Sequence, residues 1–226
     1  PNHLIFKQHP ASAIPLGLAG TELSNRDSSS QHDPSITGLA DGNYVVTWQD
    51  DSGHDGGSGA DIRGQVFTPS GAPLGEEFRI NTTTYQTQSD PSIASLSDGG
   101  FVVTWESDYQ DGDSSYYNIY GQRFDANGSS VGDEFMANSY TTSSKHDPSV
   151  AALDNGGFVV SWTSDGGQDS SGSGIFSQRY DANGLPLSTI RFTGGVADEA
   201  VTFSQTMNER AAVSYTHLTL PTKRIV

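Results

Sequence analysis

The sequence contains no cysteine. Disulfide frameworks, thiolate nucleophiles and cysteine-bound metals are therefore excluded. Long hydrophobic runs are missing as well, because no stretch reaches the length of about 18 apolar residues that marks a membrane-spanning helix. We therefore expect no membrane insertion.

Positive charge is scarce. Only 11 lysines and arginines stand against 27 aspartates and glutamates, which gives a formal net charge of −16. Nucleic acids and anionic membrane surfaces are bound through lysine and arginine, so neither is an expected partner. The acidic balance fits a soluble protein in a salty or calcium-containing medium, although solubility alone explains it equally well.

A repeat dominates what is present. The segment DGGFVVTW at 98–105 has near copies in DGNYVVTW at 41–48 and NGGFVVSW at 155–162. Three tryptophans and three Asp-Pro pairs keep a spacing of 57 residues: Trp48, Trp105, Trp162, Asp33-Pro34, Asp90-Pro91 and Asp147-Pro148. A fixed period of this size indicates a tandem array of supersecondary units. A one-residue deletion after Trp162 marks the Gly/Ser/Asp-rich stretch there as a loop, because indels collect in surface loops.

Each repeat is predicted to form four short antiparallel strands. The second is the clearest, because FVVTW at 101–105 is rich in β-branched and aromatic residues. Glycine-containing turns precede it at 97–100 and follow the third strand at 125–128, where glycine supplies the positive φ of a tight turn. In the middle repeat the predicted strands are 91–96, 101–105, 119–124 and 134–137.

Both faces of the second strand carry apolar side chains. Phe101, Val103 and Trp105 point one way, and Val102 and Thr104 the other, because side chains alternate along a strand. Sheets covered on both faces by copies of themselves are typical of propeller blades. We predict an all-β fold of tandem four-stranded antiparallel blades, β-propeller-like and open or partial in this fragment. Stacked β-sandwich or β-solenoid repeats are the alternatives, but a sandwich needs about 100 residues and solenoid repeats have about 20–45.

The period also sets the expected boundaries. The repeats are residues 30–86, 87–143 and 144–197, with 1–29 the last two strands of a preceding blade and 198–212 the start of a further unit. Residues 213–226, which include VSYTHLTLPT, resemble a translated sequencing adapter. We expect them to be a non-native tail, and the chain to be a metagenomic fragment.

The motifs DPS, DGGFVVTW, IYGQRFDANG and a closing EF, at constant spacing over about residues 30–192, resemble repeats of large secreted bacterial proteins. These are calcium-binding exoproteins and adhesins of the RTX-associated type. The resemblance implies an extracellular or cell-surface location in a bacterium. It also implies that neighbouring repeats of the same chain are partners, together with a glycan, surface or protein ligand.

The loop between the second and third strands is the predicted metal site. An aspartate stands three residues after each tryptophan, and more follow among glycines. Closely spaced carboxylates with glycine between them can wrap a calcium ion, which takes six to eight oxygen ligands. The predicted ligands are Asp51, Asp55, Asp61, Asp108, Asp111, Asp113, Asp165 and Asp169. The alternative is a solvated loop in which Asp and Gly favour turns.

Other recurrent residues are predicted to be structural. Each tryptophan alternates with valine on a central strand and is expected in the core. The aspartate of each Asp-Pro pair is expected to bond nearby backbone as an Asx turn does. His32 and His146 precede Asp-Pro pairs, and a metal or catalytic role there is not expected.

No nucleophile–base pair, phosphate loop or histidine metal set is evident. A catalytic site in a repeat fold must break the repeat, and the polar residues that stand out are those that recur. We therefore expect a non-enzymatic structural or binding repeat segment of an adhesin-like exoprotein, with calcium as the only expected cofactor. The alternative is an accessory or catalytic propeller domain of a secreted polysaccharide-active enzyme, which a non-repeating acidic pair would favour.

Overall fold

A computed structural model describes residues 23–24, 29–53, 59–110, 116–166, 172–188 and 205–206. The strands are β1 (Gln31–Gly38), β2 (Tyr44–Asp50), β3 (Asp61–Phe67), β4 (Pro73–Arg79), β5 (Gln88–Ser95), β6 (Phe101–Asp108), β7 (Tyr117–Phe124), β8 (Ser130–Met136), β9 (Lys145–Ala152), β10 (Phe158–Ser164), β11 (Gly174–Tyr180), β12 (Pro186–Ser188) and β13 (Gln205–Thr206). In this part of the chain, no helix is long and apolar enough to cross a membrane.

The strands form three antiparallel sheets in chain order. Blade 1 is β1–β4, blade 2 is β5–β8, and blade 3 is β9–β12 with β13 added beside β12. The predicted all-β architecture of four-stranded blades is thus confirmed. The half unit predicted at 1–29 and the tail at 213–226 lie almost entirely outside the described residues.

The hairpin turns are built by glycine. In blade 2, Gly99 has φ +91°, and the turn is closed by the Leu96 N–H donating to the Gly100 carbonyl at 2.8 Å. The turn between β7 and β8 is stabilised by Asp125, whose Oδ1 accepts hydrogen bonds from the N–H groups of Asn127 and Ser129, both at 2.9 Å. These contacts explain why Asp-Gly-Gly and Asp-Ala-Asn-Gly recur with the period.

The first strand of each blade carries a bulge at its Asp-Pro pair. Asp33, Asp90 and Asp147 have φ of 52°, 54° and 54°, and the strand register shifts beside each of them. Aspartate tolerates this left-handed region better than most residues do. The pairs therefore lie inside the strands rather than at their starts. Backbone conformation, and not the expected Asx turn, accounts for their recurrence.

Successive blades stack face to face, and their first strands contact one another, β1 with β5 and β5 with β9. Phe101, Val103 and Trp105 pack with blade 1, while Val102 and Ile119 pack with blade 3. Each such buried side chain contributes about 1.5–3 kcal/mol. This arrangement is that of propeller blades. It also confirms the tryptophans as core residues, since Trp48, Trp105 and Trp162 are 4%, 0% and 5% exposed.

Candidate functional site

A polar cluster lies where the start of β9 in blade 3 meets the end of β6 in blade 2. Glu106 follows Trp105 on β6, and its Oε2 is 3.1 Å from Nδ1 of His146 on β9. Its Oε1 accepts the backbone N–H of Asp147 at 2.8 Å. Glu106 is thus a residue of one blade whose hydrogen-bonding partners belong to the next.

The environment of Glu106 favours its protonated form. The residue is only 5% exposed, and burial raises the pKa of its carboxyl group. The hydrogen bonds from Asp147 and His146 partly offset this rise in pKa, and the nearby charge of Asp90 adds to it. Glu106 therefore combines a raised pKa with a fixed orientation, as acid groups of active sites often do.

His146 is held on both sides of its ring. Its Nε2 is 3.2 Å from Oδ2 of Asp165, opposite the Glu106 contact, and its ring lies 5.5 Å from that of Tyr117. His146 therefore lies between a nearly buried carboxyl group, Glu106, and an exposed one, Asp165.

Blade 1 contains a partial copy of this cluster. His32 Nδ1 is 2.6 Å from Asp33 Oδ2, and its Nε2 is 3.2 Å from Asp51 Oδ2. The hydrogen bond to Asp33 is the main cause of a raised pKa for His32. Gln49 follows Trp48 as Glu106 follows Trp105, but it donates to Asp51 Oδ1 of its own blade at 3.0 Å, and blade 2 has Ser89 where blade 3 has His146. Among the described residues, a buried acid and a histidine therefore meet across a blade junction only between blades 2 and 3.

Glu106 breaks the repeat, and sequence reasoning missed it. The residue after the tryptophan is Gln49 in blade 1, Glu106 in blade 2 and Thr163 in blade 3. The expectation that the prominent polar residues all recur is thus wrong for this position. Comparing the residue after each tryptophan would have found it.

Four of the predicted calcium ligands lie within the described residues: Asp51, Asp61, Asp108 and Asp165. Asp51, Asp108 and Asp165 occupy matching places in three blades, where each N–H donates to the carbonyl that precedes its first strand. Asp61 is buried and accepts from Asn81 Nδ2 at 2.7 Å. Asp55, Asp111, Asp113 and Asp169 lie outside the described residues. Within the described ranges no group of three or more His, Cys, Asp or Glu is placed to hold a metal ion, and calcium stays a prediction.

A groove of about 680 Å³ lies between blades 1 and 2, away from Glu106. Glu134 closes one side, because its Oε2 accepts both the N–H and the hydroxyl of Thr82, at 2.8 and 3.0 Å, and its Oε1 accepts from Gln110. Phe78 and Phe124 line it with rings 5.7 Å apart. The polar groups of this wall, Glu134, Thr82 and Gln110, bond one another. The groove is therefore a weaker candidate for a functional site than the Glu106 cluster.

No family model and no curated protein matches the chain. Solved structures resemble it in fold. An exo-1,5-α-L-arabinanase from a bovine ruminal metagenomic library is 15% identical, with a TM-score of 0.43 over 72% of this chain and 58% of that one. A GH43 endo-arabinanase from Bacillus licheniformis is 18% identical, with a TM-score of 0.43 over 68% and 55%. An N-acetylgalactosamine deacetylase from F. plautii in complex with blood group B trisaccharide is 12% identical, with a TM-score of 0.49 over 71% and 52%.

These likenesses show the fold alone, and the chain spans less than two thirds of the length of each neighbour. They nevertheless correct one expectation. The neighbours include arabinanases and another glycoside hydrolase, whereas the sequence led us to expect a non-enzymatic, adhesin-like segment. That expectation, and the expectation that the chain is not part of an enzyme, are wrong on this comparison.

Proposed function

We propose that this chain is part of a propeller domain of a polysaccharide-active enzyme, and that Glu106 is its acid group. One observation carries the proposal. Glu106 is a buried carboxyl with a raised pKa near the end of β6, and the matching residues of the other two described blades are Gln49 and Thr163. A non-repeating acid is what distinguishes an active propeller from a purely structural array.

Glycoside hydrolysis needs two carboxyl groups with different protonation. One is protonated and donates to the leaving oxygen, and the other is ionised and acts as base or nucleophile. Burial suits Glu106 to the first role. Asp147 and Asp165 are exposed carboxyl groups on the adjacent blade. They supply candidates for the second role.

The first test is cleavage of polysaccharides by the chain and by its Glu106→Gln variant. Arabinan comes first, because several of the neighbouring structures are arabinanases, and cellulose and a mixed-linkage β-glucan follow. We expect release of reducing ends from at least one of them, reduced by about 10²–10⁴-fold in Glu106→Gln, since a general acid contributes that much.

The matched control is Glu76→Gln, which removes an exposed carboxylate from β4 and should leave the rate unchanged. Retardation in polysaccharide-containing gels is measured in parallel. Binding without cleavage would support an accessory domain and reject Glu106 as the acid. If the chain cleaves none of the three polysaccharides and is retarded by none of them, the proposal is overturned.

A further inference from the structure

The orientation of Glu106 depends on blade 3. Both carboxyl oxygens of Glu106 have their hydrogen bonds on β9, one with the His146 ring and one with the Asp147 backbone. The backbone N–H is fixed by the β9 bulge, where Asp147 has φ 54°. The side chain of His146 is thus the part of this arrangement that substitution can change.

The His146 ring is itself fixed in place. Asp165, just beyond the end of β10, faces Nε2 at 3.2 Å, and the Tyr117 ring packs at an angle of 47° to the imidazole. The His146 side chain is 32% exposed, whereas that of Glu106 is 7% exposed. A partly exposed ring with three neighbours therefore fixes a nearly buried carboxyl group.

Blade 1 contains a histidine at the matching position of its first strand. His32 lies between Asp33 and Asp51 of its own blade. A histidine between two carboxyl groups is therefore a feature of two blades, but among the described residues only His146 contacts an acid of the preceding blade. Comparing substitutions of His32 and His146 therefore separates an effect on the structure of a blade, which both histidines share, from an effect on Glu106, which only His146 can have.

We propose that His146 is a positioning residue for Glu106, holding its carboxyl group at the junction of blades 2 and 3, while Asp165 and Tyr117 fix the imidazole. This inference rests on the proposed function of Glu106. Without the imidazole, the carboxyl keeps one hydrogen bond, that from the Asp147 N–H, and can rotate about its last torsion. A misplacement of about 1 Å can cost an enzyme about 10²-fold in rate.

The contact is tested by NMR of the imidazole nitrogens in the full chain labelled with ¹⁵N-histidine. Glu106→Gln should shift the Nδ1 signal of His146 and leave both signals of His32 unchanged. Asp165→Asn should shift Nε2 of His146 in the same selective way. Unchanged His146 signals in Glu106→Gln would overturn the proposal, whatever the activity of the protein.

The functional consequence is tested on the polysaccharide that the wild-type chain cleaves. His146→Ala should lower kcat by about 10²-fold with little change in KM, because positioning acts on the reacting group and not on binding. His146→Asn keeps an N–H donor near the place of Nδ1 and should recover part of that loss. His32→Ala is the matched control and should leave kcat unchanged.

The outcomes separate the two proposals. Equal losses of kcat in His146→Asn and His146→Ala, or an equal loss in His32→Ala, would reduce His146 to a structural residue. If no polysaccharide is cleaved, the function proposed for Glu106 fails, and the NMR result still decides whether His146 holds the carboxyl. Should His146→Ala fail to fold, Tyr117→Leu removes the ring that packs on the imidazole while keeping the histidine, and it should give a smaller fall in kcat.

Discussion

At the scale of single residues, the positions where the repeat is broken are the informative ones. Gln31 and Gln88 donate to carbonyls of the connector before the first strand of their blades, to Ser29 at 2.9 Å and to Tyr85 at 3.4 Å. In blade 3 the same place is taken by Lys145. The Lys145 amine donates to connector carbonyls as the two glutamine amides do, but it places an ionisable group in the interior.

Lys145→Gln should therefore stabilise the protein at neutral pH. Lys145 is fully buried, and its Nζ donates to the carbonyls of Thr142 and Ser143 at 3.0 and 2.6 Å. Burial lowers its pKa below the ordinary 10.5. We expect Tm to rise by about 2–4 °C, which corresponds to ~1 kcal/mol in a domain of this size.

The pH dependence checks the cause. Because the folded pKa of Lys145 is lower than the unfolded one, the unfolded chain binds more protons between the two values, and wild-type stability rises with pH across that window. The advantage of Lys145→Gln should shrink as pH increases toward 10.5. Gln88→Lys is the matched control, and it should lower Tm most at neutral pH. An advantage that is constant from pH 7 to 10.5 would rule out this explanation.

At this scale the sequence predicted the buried tryptophans but not the Glu106 cluster. The buried tryptophans follow from strand alternation, which is local. The Glu106 cluster joins residues 40 positions apart through the stacking of two blades, and no spacing rule connects Glu106 with His146. The substitution after the tryptophan was visible in the sequence, but its meaning depends on which blade face it occupies.

At the scale of strands, close packing between β7 and β8 requires a glycine. A Cβ on Gly121 would lie 2.7 Å from the Phe135 ring, and that ring packs on Phe158 and Tyr180 of blade 3 with centroids 6.1 and 5.0 Å away. Gly64 and Phe78 repeat the arrangement in blade 1 at 3.2 Å. The closing phenylalanine of the repeat therefore needs the glycine of the third strand.

Gly121→Ala should destabilise the protein by about 1–3 kcal/mol, the usual cost of overpacking a filled site. Urea unfolding measures this as a lower midpoint with an unchanged slope. Gly38→Ala on β1 is the control, since its Cβ would meet nothing within 4 Å and it should be neutral. A loss in Gly121→Ala no greater than in Gly38→Ala would show that the Phe135 ring moves aside freely.

The fourth strand shows why element boundaries were less predictable. In blade 2 it was expected to start at 134 and begins at Ser130. The segment from Ser130 to Gly132 has a composition typical of loops, and Gly132 has a positive φ. Ser130 and Val131 nevertheless pair with β7. Gln122 also reaches across and donates to the carbonyls of Val131 and Gly132 at 3.3 and 3.2 Å. Pairing with β7 overrides the local preference.

At the scale of the whole molecule, acidity opposes folding. A net charge of −16 on a compact protein is self-repulsive, and ions that reduce this repulsion stabilise the folded state. Monovalent salt does so by screening, with a Debye length of about 8 Å at physiological ionic strength. A bound divalent cation would act at a specific place, so the two effects can be separated by their ion selectivity.

The predicted calcium binding is tested by thermal unfolding of the full chain at fixed ionic strength. If the aspartate loops bind calcium, millimolar Ca²⁺ should raise Tm and equal Mg²⁺ should not, since calcium tolerates the irregular oxygen geometry of a loop and magnesium does not. A concentration of 100 times Kd would stabilise by ~2.7 kcal/mol. Asp111→Ala should reduce the calcium effect, and Asp98→Ala, which lies in a turn, should not. Equal shifts with Ca²⁺, Mg²⁺ and NaCl of matched ionic strength would instead assign the acidic loops to screening and solubility alone.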